Sequence, residues 1–393
     1  MDKLTDIVTD LSLKGFKGDL LLSGDFNTWL MNPTSCCKAG YSIEQGLNEV
    51  RLLFNITAAT VDFSSKHSKL EKLATNSKRT PMENISHLQV TEFILLGFPY
   101  QPQTKIAIFL GILTVYLLAI TANTIFIIVT LTDVHLHSPM YFFLCNLSFL
   151  DLCYSSVNTP TILEGLLVRI STISFSRCVT QMYLGLSLAQ TECFLLAVMA
   201  WDRYVAICKP FHYQQIMNNQ VCVRIAIMTW AGGFIYSLAS LVVLPSTHFC
   251  GRNVIDHTFC EPEAISQLVC IESRFLAPAL AIVSLVSPLS FILFTYFRVI
   301  FTIVRMPTAD RKRRAFATCG SHLLVVTLFY GTAMGMYLSP KSSHNSKKGK
   351  SMSVFYCLVV PALNPLIYTL RNKDVKGALR RTYNRNNSCQ QFT

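Results

Sequence analysis

Charge is scarce in this chain. Of its 393 residues only 14% are Asp, Glu, Lys or Arg while 51% are hydrophobic, and the mean hydropathy is +0.40. An ordinary soluble domain of this size needs more charge to cover its surface, so the composition excludes that class and points to a membrane protein. The chemistry of enzymes is missing as well: there is no Ser/His/Asp set, no glycine-rich phosphate loop and no His/Cys spacing suited to a metal. Fourteen cysteines are present, yet none pair as CxxC, and Cys145, Cys193, Cys208 and Cys319 lie inside apolar spans as small hydrophobes. A formal charge of +12 does not signal nucleic-acid binding, because its position argues otherwise. Residues 1–81 carry ten Lys/Arg against nine Asp/Glu, leaving 24 against 13 for residues 82–393, where the cations form short runs flanking apolar spans.

Residues 1–81 also lack any sustained period, and they hold neither a signal-peptide core nor a membrane span. They read as an atypical extension, either a disordered extracellular segment or a gene-model artefact, and the second reading is adopted because no core-forming pattern exists there. Residues 82–105 then form an extracellular N-terminus, 106–371 a bundle and 372–393 a cytoplasmic tail. Seven apolar spans are expected at about 106–132, 139–165, 177–208, 221–244, 275–305, 315–338 and 351–371, each sufficient to cross a bilayer. Orientation follows from Arg305, Arg311, Lys312, Arg313 and Arg314 after the fifth span and Arg371, Lys373, Lys376, Arg380 and Arg381 in the tail. Both clusters fall on one side, cytoplasmic by the positive-inside rule, which places the N-terminus outside. Lys341, Lys347, Lys348 and Lys350 disobey it from the outer loop before span seven.

The third span repays closer reading. Cys178, Gly185, Glu192 and Met199 recur every seven residues, about two helical turns, so they share one face that Arg203 joins. An acid at mid-depth and an arginine at the edge of hydrocarbon are expensive, and each needs a partner. Asp151 of the second span lies at similar depth, so Asp151 and Glu192 either share protons or hold a cation between them.

Several stretches carry a resemblance. Met199-Ala200-Trp201-Asp202-Arg203-Tyr204-Val205-Ala206-Ile207-Cys208 is similar to the third-helix signature of odorant receptors in the rhodopsin-like G-protein-coupled class, with Trp201 in place of the usual Tyr. Leu136-His137-Ser138-Pro139-Met140-Tyr141, Lys209-Pro210-Phe211-His212-Tyr213, Arg314-Ala315-Phe316-Ala317-Thr318-Cys319-Gly320-Ser321-His322 and Pro361-Ala362-Leu363-Asn364-Pro365-Leu366-Ile367-Tyr368 resemble further motifs of that family, and Met82-Glu83-Asn84-Ile85-Ser86 resembles its usual start. The resemblance covers nearly all of residues 82–381. It implies an all-α membrane protein, a seven-transmembrane helix bundle with a short amphipathic eighth helix, acting as a receptor for a small volatile or hydrophobic ligand at the plasma membrane. A heterotrimeric G protein of the stimulatory type is the implied partner, cyclic AMP the output, and no catalysis is involved.

The resemblance also implies roles for residues. Asp202, Arg203, Tyr204, Tyr296 and His322 fall at coupling positions. Gly185, Leu186, Ala189, Gln190, Ser284, Tyr330, Ala333, Met334 and Tyr337 fall at ligand-pocket positions, mostly apolar with a few hydrogen-bonding groups. Four outer cysteines, Cys178, Cys250, Cys260 and Cys270, allow three connectivities, and the residues alone do not choose. The resemblance implies Cys178–Cys260 and Cys250–Cys270. Asn84 is a glycosylation acceptor under this topology. Asn123 and Asn364, which the resemblance brings to the depth of Asp151 and Glu192, would complete a sodium-like site of hard oxygen ligands. No other cofactor is expected. In the tail, Val375, Ala378 and Leu379 share a face opposite Lys373, Lys376, Arg380 and Arg381, suited to the inner membrane lipid surface. The rivals are a non-olfactory rhodopsin-like receptor, disfavoured because no acid stands at Gly185, and a transporter or channel, disfavoured because no half-to-half repeat is visible.

Overall fold

The computed structural model describes residues 91–98, 100–168, 170–242, 253–266, 268, 276–337 and 346–390. Residues 1–81, Asn84, Cys250, Cys270 and Lys341 lie outside the described residues, as does the side chain of Tyr337. Helices dominate: α1 (Pro102–Thr132), α2 (Pro139–Leu167), α3 (Phe175–Cys208), α4 (Asn219–Val242), α5 (Leu276–Val304) and α6 (Ala309–Tyr337) are followed by a broken helix, α7, and a basic helix, α8 (Lys373–Gln390). Helix α7 runs as Ser346–Val354, a π turn at Phe355–Val359 and Val360–Arg371. Seven of these helices are long and apolar enough to cross a bilayer.

Local sequence explains the starts. Pro102 and Pro139 stand in the first turns of α1 and α2, where a missing N–H costs nothing. Ser174 caps α3 by accepting from the Arg177 amide at 3.4 Å. Helix α6 begins six residues before the expected apolar span, because Arg311, Lys312 and Arg313 are good helix formers and continue its first turns. Helix α3 is central and packs on α2, α4 and α5. A Cβ added at Gly233 of α4 would sit on Thr191 Oγ1 and 3.0 Å from the Ser187 carbonyl, so only glycine permits that approach of α3 and α4.

One element escaped the sequence reading. Strands β1 (Glu92–Leu95), β2 (Ser171–Ser174) and β3 (Val254–Ile255) form a small mixed sheet in the order β2-β1-β3. β1 pairs antiparallel with β2, Glu92 opposite Ser174, and parallel with β3, Ile94 opposite Val254. Its alternation turns Phe93 and Leu95 inward, where they pack with Ile173, Ile255, Met182, Cys178 and Cys260. The segment just before α1 is therefore part of the folded unit. A chain starting at Met82 is expected to reach the cell surface and respond like the full chain. Starting after Phe98 deletes the central strand and the burial of Phe93 and Leu95, about 1.5–3 kcal/mol each, and quantitative surface labelling should then fall to a small fraction.

The basic helix α8 requires a correction. Its apolar face was expected on lipid, but Val375 (1% exposed) and Ala378 (0%) are buried in the main core and Leu379 packs beside them. Two polar ties hold it there. Arg381 donates to Asp133 Oδ2 from Nε and Nη2, both at 2.8 Å, and Tyr141, itself receiving a bond from Asn372, donates to Asp374 at 3.2 Å. Burial acts to raise the Asp133 carboxyl, but hydrogen bonds from His135 and Arg381 outweigh it and hold that group below the usual carboxylate range. A face that the bundle already covers has little left for lipid.

Candidate functional site along helix α3

At one end of α3, Asp202 and Arg203 form a closed polar unit. Arg203 donates to Asp202 Oδ2 from Nη2 at 2.6 Å and from Nε at 3.1 Å, while Tyr213 donates to Oδ1 at 2.7 Å. Asp202 is 1% exposed and its carboxylate accepts three hydrogen bonds, two at Oδ2 and one at Oδ1. Tyr213 is a partner that sequence reasoning missed; its place eleven residues after Asp202, past the helix end, gave no periodic signal. Tyr296 of α5 and His322 of α6 bond each other at 2.7 Å with stacked rings, and both stand within the electrostatic reach of Arg203. Tyr204 stacks on Trp201 with centroids 5.2 Å apart, and Trp201 reaches Phe291 of α5. Phe211, in the short turn after α3, is 95% exposed. An aromatic so bare was not singled out by sequence, because a lone Phe in a loop carries no pattern.

Midway along the bundle, polar groups from four helices meet. Asn364 of α7 donates from Nδ2 to both oxygens of Asp151 on α2, at 3.1 and 3.3 Å. Asn123 of α1 donates to the carbonyls of Ala119 and Pro361, tying α1 to α7. Asp151 and Glu192 interact electrostatically. Glu192 Oε1, Asn123 Oδ1 and Asn364 Oδ1 are buried acceptors without a protein donor. Among the described residues no group of three or more His, Cys, Asp or Glu could hold a metal ion. The donor set is instead two carboxylates and two amide oxygens, which suits a monovalent hard cation and not a transition metal.

The pocket positions do not share a single wall. Gly185 faces α2, where an added Cβ would stand 3.9 Å from Asn158 Oδ1. Leu186 packs in the cluster under the sheet, and Ala189 packs with residues of α1, α2 and α7. Gln190, Tyr330 and Ala333 are buried, while Ser284 and Met334 are half-buried. Gln190 Nε2 is buried without a protein acceptor and so is available to a ligand, while the Tyr330 hydroxyl has the Cys193 thiol beside it.

At the other end of α3, Cys178 is bonded to Cys260, fixing the loop between α4 and α5 over the bundle. Gln181 locks the same corner: its Nε2 donates to the Val157 carbonyl and Thr161 Oγ1, and its Oε1 accepts from the Cys260 amide at 3.2 Å. Lys350, which defied the charge rule, is 3% exposed here and donates to the Gly97 carbonyl at 2.7 Å and Asp256 at 2.5 Å. A buried lysine with a carboxylate and a carbonyl is a fastening, not a topology signal. Sequence could not reveal it, since its partners lie 94 and 253 residues away.

Similarity to known proteins agrees with this geometry. The olfactory receptor family profile matches residues 112–386. Human olfactory receptor 2C3 is 44% identical over 300 residues, covering 76% of this chain and 93% of that protein. Human olfactory receptor 2D2 is 44% identical over 308 residues, 78% and 99% of the two chains, and mouse olfactory receptor 5AR1 is 43% identical over 303 residues, 76% and 98%. Among solved structures, squid rhodopsin superposes with a TM-score of 0.59 at 15% identity over 74% of this chain and 88% of that one, a likeness of fold. Seven membrane-length helices, a buried arginine unit at the end of α3 and this degree of identity establish that the chain belongs to the olfactory receptor family, a family of multi-pass signalling receptors and not of enzymes.

Proposed function

We propose that the protein binds a small, uncharged or weakly polar odorant within the helix bundle and activates a stimulatory heterotrimeric G protein, raising cyclic AMP. The arginine end would face the cytoplasm and the disulfide end the exterior of the plasma membrane, in sensory cilia where the cell has them. One observation carries this reading: among the described residues Arg203 bonds only Asp202 of its own helix, which Tyr213 just after that helix also holds, while groups of α5 and α6 stand within the field of Arg203. A ligand that favours a bundle with α6 displaced would release that unit, provided it binds the two states with different affinity. Asp151, Glu192, Asn123 and Asn364 would hold a sodium ion in the resting state, with coordination from the unmatched oxygens of Glu192, Asn123 and Asn364 beside the Asp151 carboxylate.

A broad panel of volatiles assayed with a cyclic-AMP reporter tests the reading. At least one uncharged compound should act, and Gln190→Leu should lower its potency about tenfold, the worth of one buried hydrogen bond. Lys341 is expected to bias the panel toward carboxylates. If the best agonists are amines, the pocket assignment fails; if cells lacking G protein show ligand-gated current or solute flux, the receptor reading gives way to a transporter or channel.

A further inference from the structure

The loop fixed by Cys260 also meets α7 through a buried titratable pair. His257 Nε2 lies 3.0 Å from Glu261 Oε2, the two side chains being 10% and 5% exposed. Ser353 of α7 donates to Glu261 Oε2 at 3.0 Å and stands 3.2 Å from His257 Nε2, and Tyr356 of α7 donates to Oε1 at 3.4 Å. On its other side, His257 Nδ1 lies 3.2 Å from the Phe259 carbonyl. The Phe259 amide also stands 3.5 Å from Nδ1, but the carbonyl contact is the shorter one, and with the Nδ1 proton donated to that carbonyl Nε2 accepts one from Glu261. From the loop, Asp256 and Glu263 also face this pair; from α7, Lys350, Tyr356 and Cys357 do; from α2, Tyr154 does; in the segment before α1, Gly97 accepts from Lys350 and donates its N–H to the His257 carbonyl at 3.2 Å.

We propose that His257 and Glu261 act as a proton-sharing pair that fastens the loop to α7 and makes this fastening insensitive to the pH outside the cell. The location outside rests on the orientation given under Proposed function; the proton balance does not. With the loop unfastened and the pH between 4.5 and 6.5, both groups are in water and form imidazolium and carboxylate. As the loop docks, the proton on His257 Nε2 moves to Glu261 Oε2, leaving imidazole and carboxylic acid, and nothing is exchanged with solvent. Burial pushes the Glu261 carboxyl up from 4.5 to about 7, and burial pushes His257 down from 6.5 to about 4. The signs oppose. Glu261 alone would favour docking in acid, the gain present in full below 4.5 and lost as pH rises through about 7. His257 alone would oppose docking in acid, the docked state losing ground as pH falls from 6.5 to about 4. Over the shared range the two effects cancel.

The test is the unfolding midpoint of the full chain in lipid nanodiscs, followed between about pH 5 and pH 8 for wild type, His257→Gln, Glu261→Gln and the double variant. Differences from wild type remove the contribution of other groups. The His257→Gln chain should gain relative stability in acid and Glu261→Gln should lose it, each by up to about 100-fold in the folded-to-unfolded ratio, while the double variant runs parallel to wild type. Single variants that slope the same way, or that superimpose on wild type, overturn the proposal. If a purified single variant does not survive, hydrogen exchange in the loop and outer α7 on membranes of expressing cells, with His257→Asn and Glu261→Met as second variants, must show the same opposed pair of slopes. These readouts involve neither odorant nor G protein, so a failure here is distinct from a failure of the receptor reading.

Discussion

Arg203→Ala is expected to bring ligand-driven cyclic AMP to the level of cells without the receptor while surface labelling stays measurable. Arg203 makes both of its observed bonds to Asp202, whose second oxygen is taken by Tyr213. Helix α6 carries Asp310 in its first turn, followed by Arg311, Lys312 and Arg313, but among the described residues the bonds of Arg203 go to Asp202 and not to that carboxylate. The resting arrangement is thus local, and on the proposed reading coupling would consist of turning the guanidinium from Asp202 to a group of the partner. Alanine removes that group altogether. It also strips Asp202 of its cation, and a buried carboxylate left unpaired can cost about 3–5 kcal/mol, which predicts reduced surface level too. Asp202→Asn separates these effects. It weakens the clamp by the worth of a charge-assisted bond, about 1.5–3 kcal/mol, so basal cyclic AMP should rise by roughly tenfold at equal surface expression. Full agonist response from Arg203→Ala at measured surface level contradicts the coupling assignment.

Exchanging sodium for a bulky organic cation is the second large effect. It should raise basal signalling and agonist potency of wild type, with coupling on the order of 1–3 kcal/mol, or about 5–150-fold. An ionised acid in hydrocarbon costs several kcal/mol on its own, and Asp151 and Glu192 interact at 0% and 1% exposure. Asn364 satisfies both oxygens of Asp151, yet it turns its own Oδ1, like Asn123 Oδ1 and Glu192 Oε1, toward no donor. The proposed cation would coordinate these three unmatched oxygens, one of which belongs to Glu192 itself. Asp151→Asn and Glu192→Gln should each abolish the sodium dependence. A wild type indifferent to the exchange leaves shared protonation as the account of this pair.

The bundle was legible because its signal is local: each span is a long, mostly apolar run, and α1 to α4 begin and end within four residues of expectation. The stripe of α3 was legible for the same reason, since periodicity within one helix fixes which residues share a face. What stayed hidden depends on distant partners. Strand β1 has four residues and pairs with segments about 80 and 160 positions away, so nothing nearby marks it. Lys350 looked like a topological exception because its carboxylate and carbonyl are remote. His257 and Glu261 went unremarked, being two ordinary loop residues until folding places them 3.0 Å apart under α7. The tail helix erred in the other direction: amphipathicity identified an apolar face, but it does not say whether lipid or protein covers that face.

Guanine-nucleotide exchange on a purified stimulatory G protein, driven by the receptor in nanodiscs with an odorant from the panel, tests the central claim most directly. Exchange should accelerate only when odorant and receptor are both present, and Arg203→Ala should abolish the acceleration with odorant binding intact. An odorant that binds the purified wild-type chain yet leaves exchange at the basal rate, while driving ion or solute flux through the same protein in liposomes, would contradict the account.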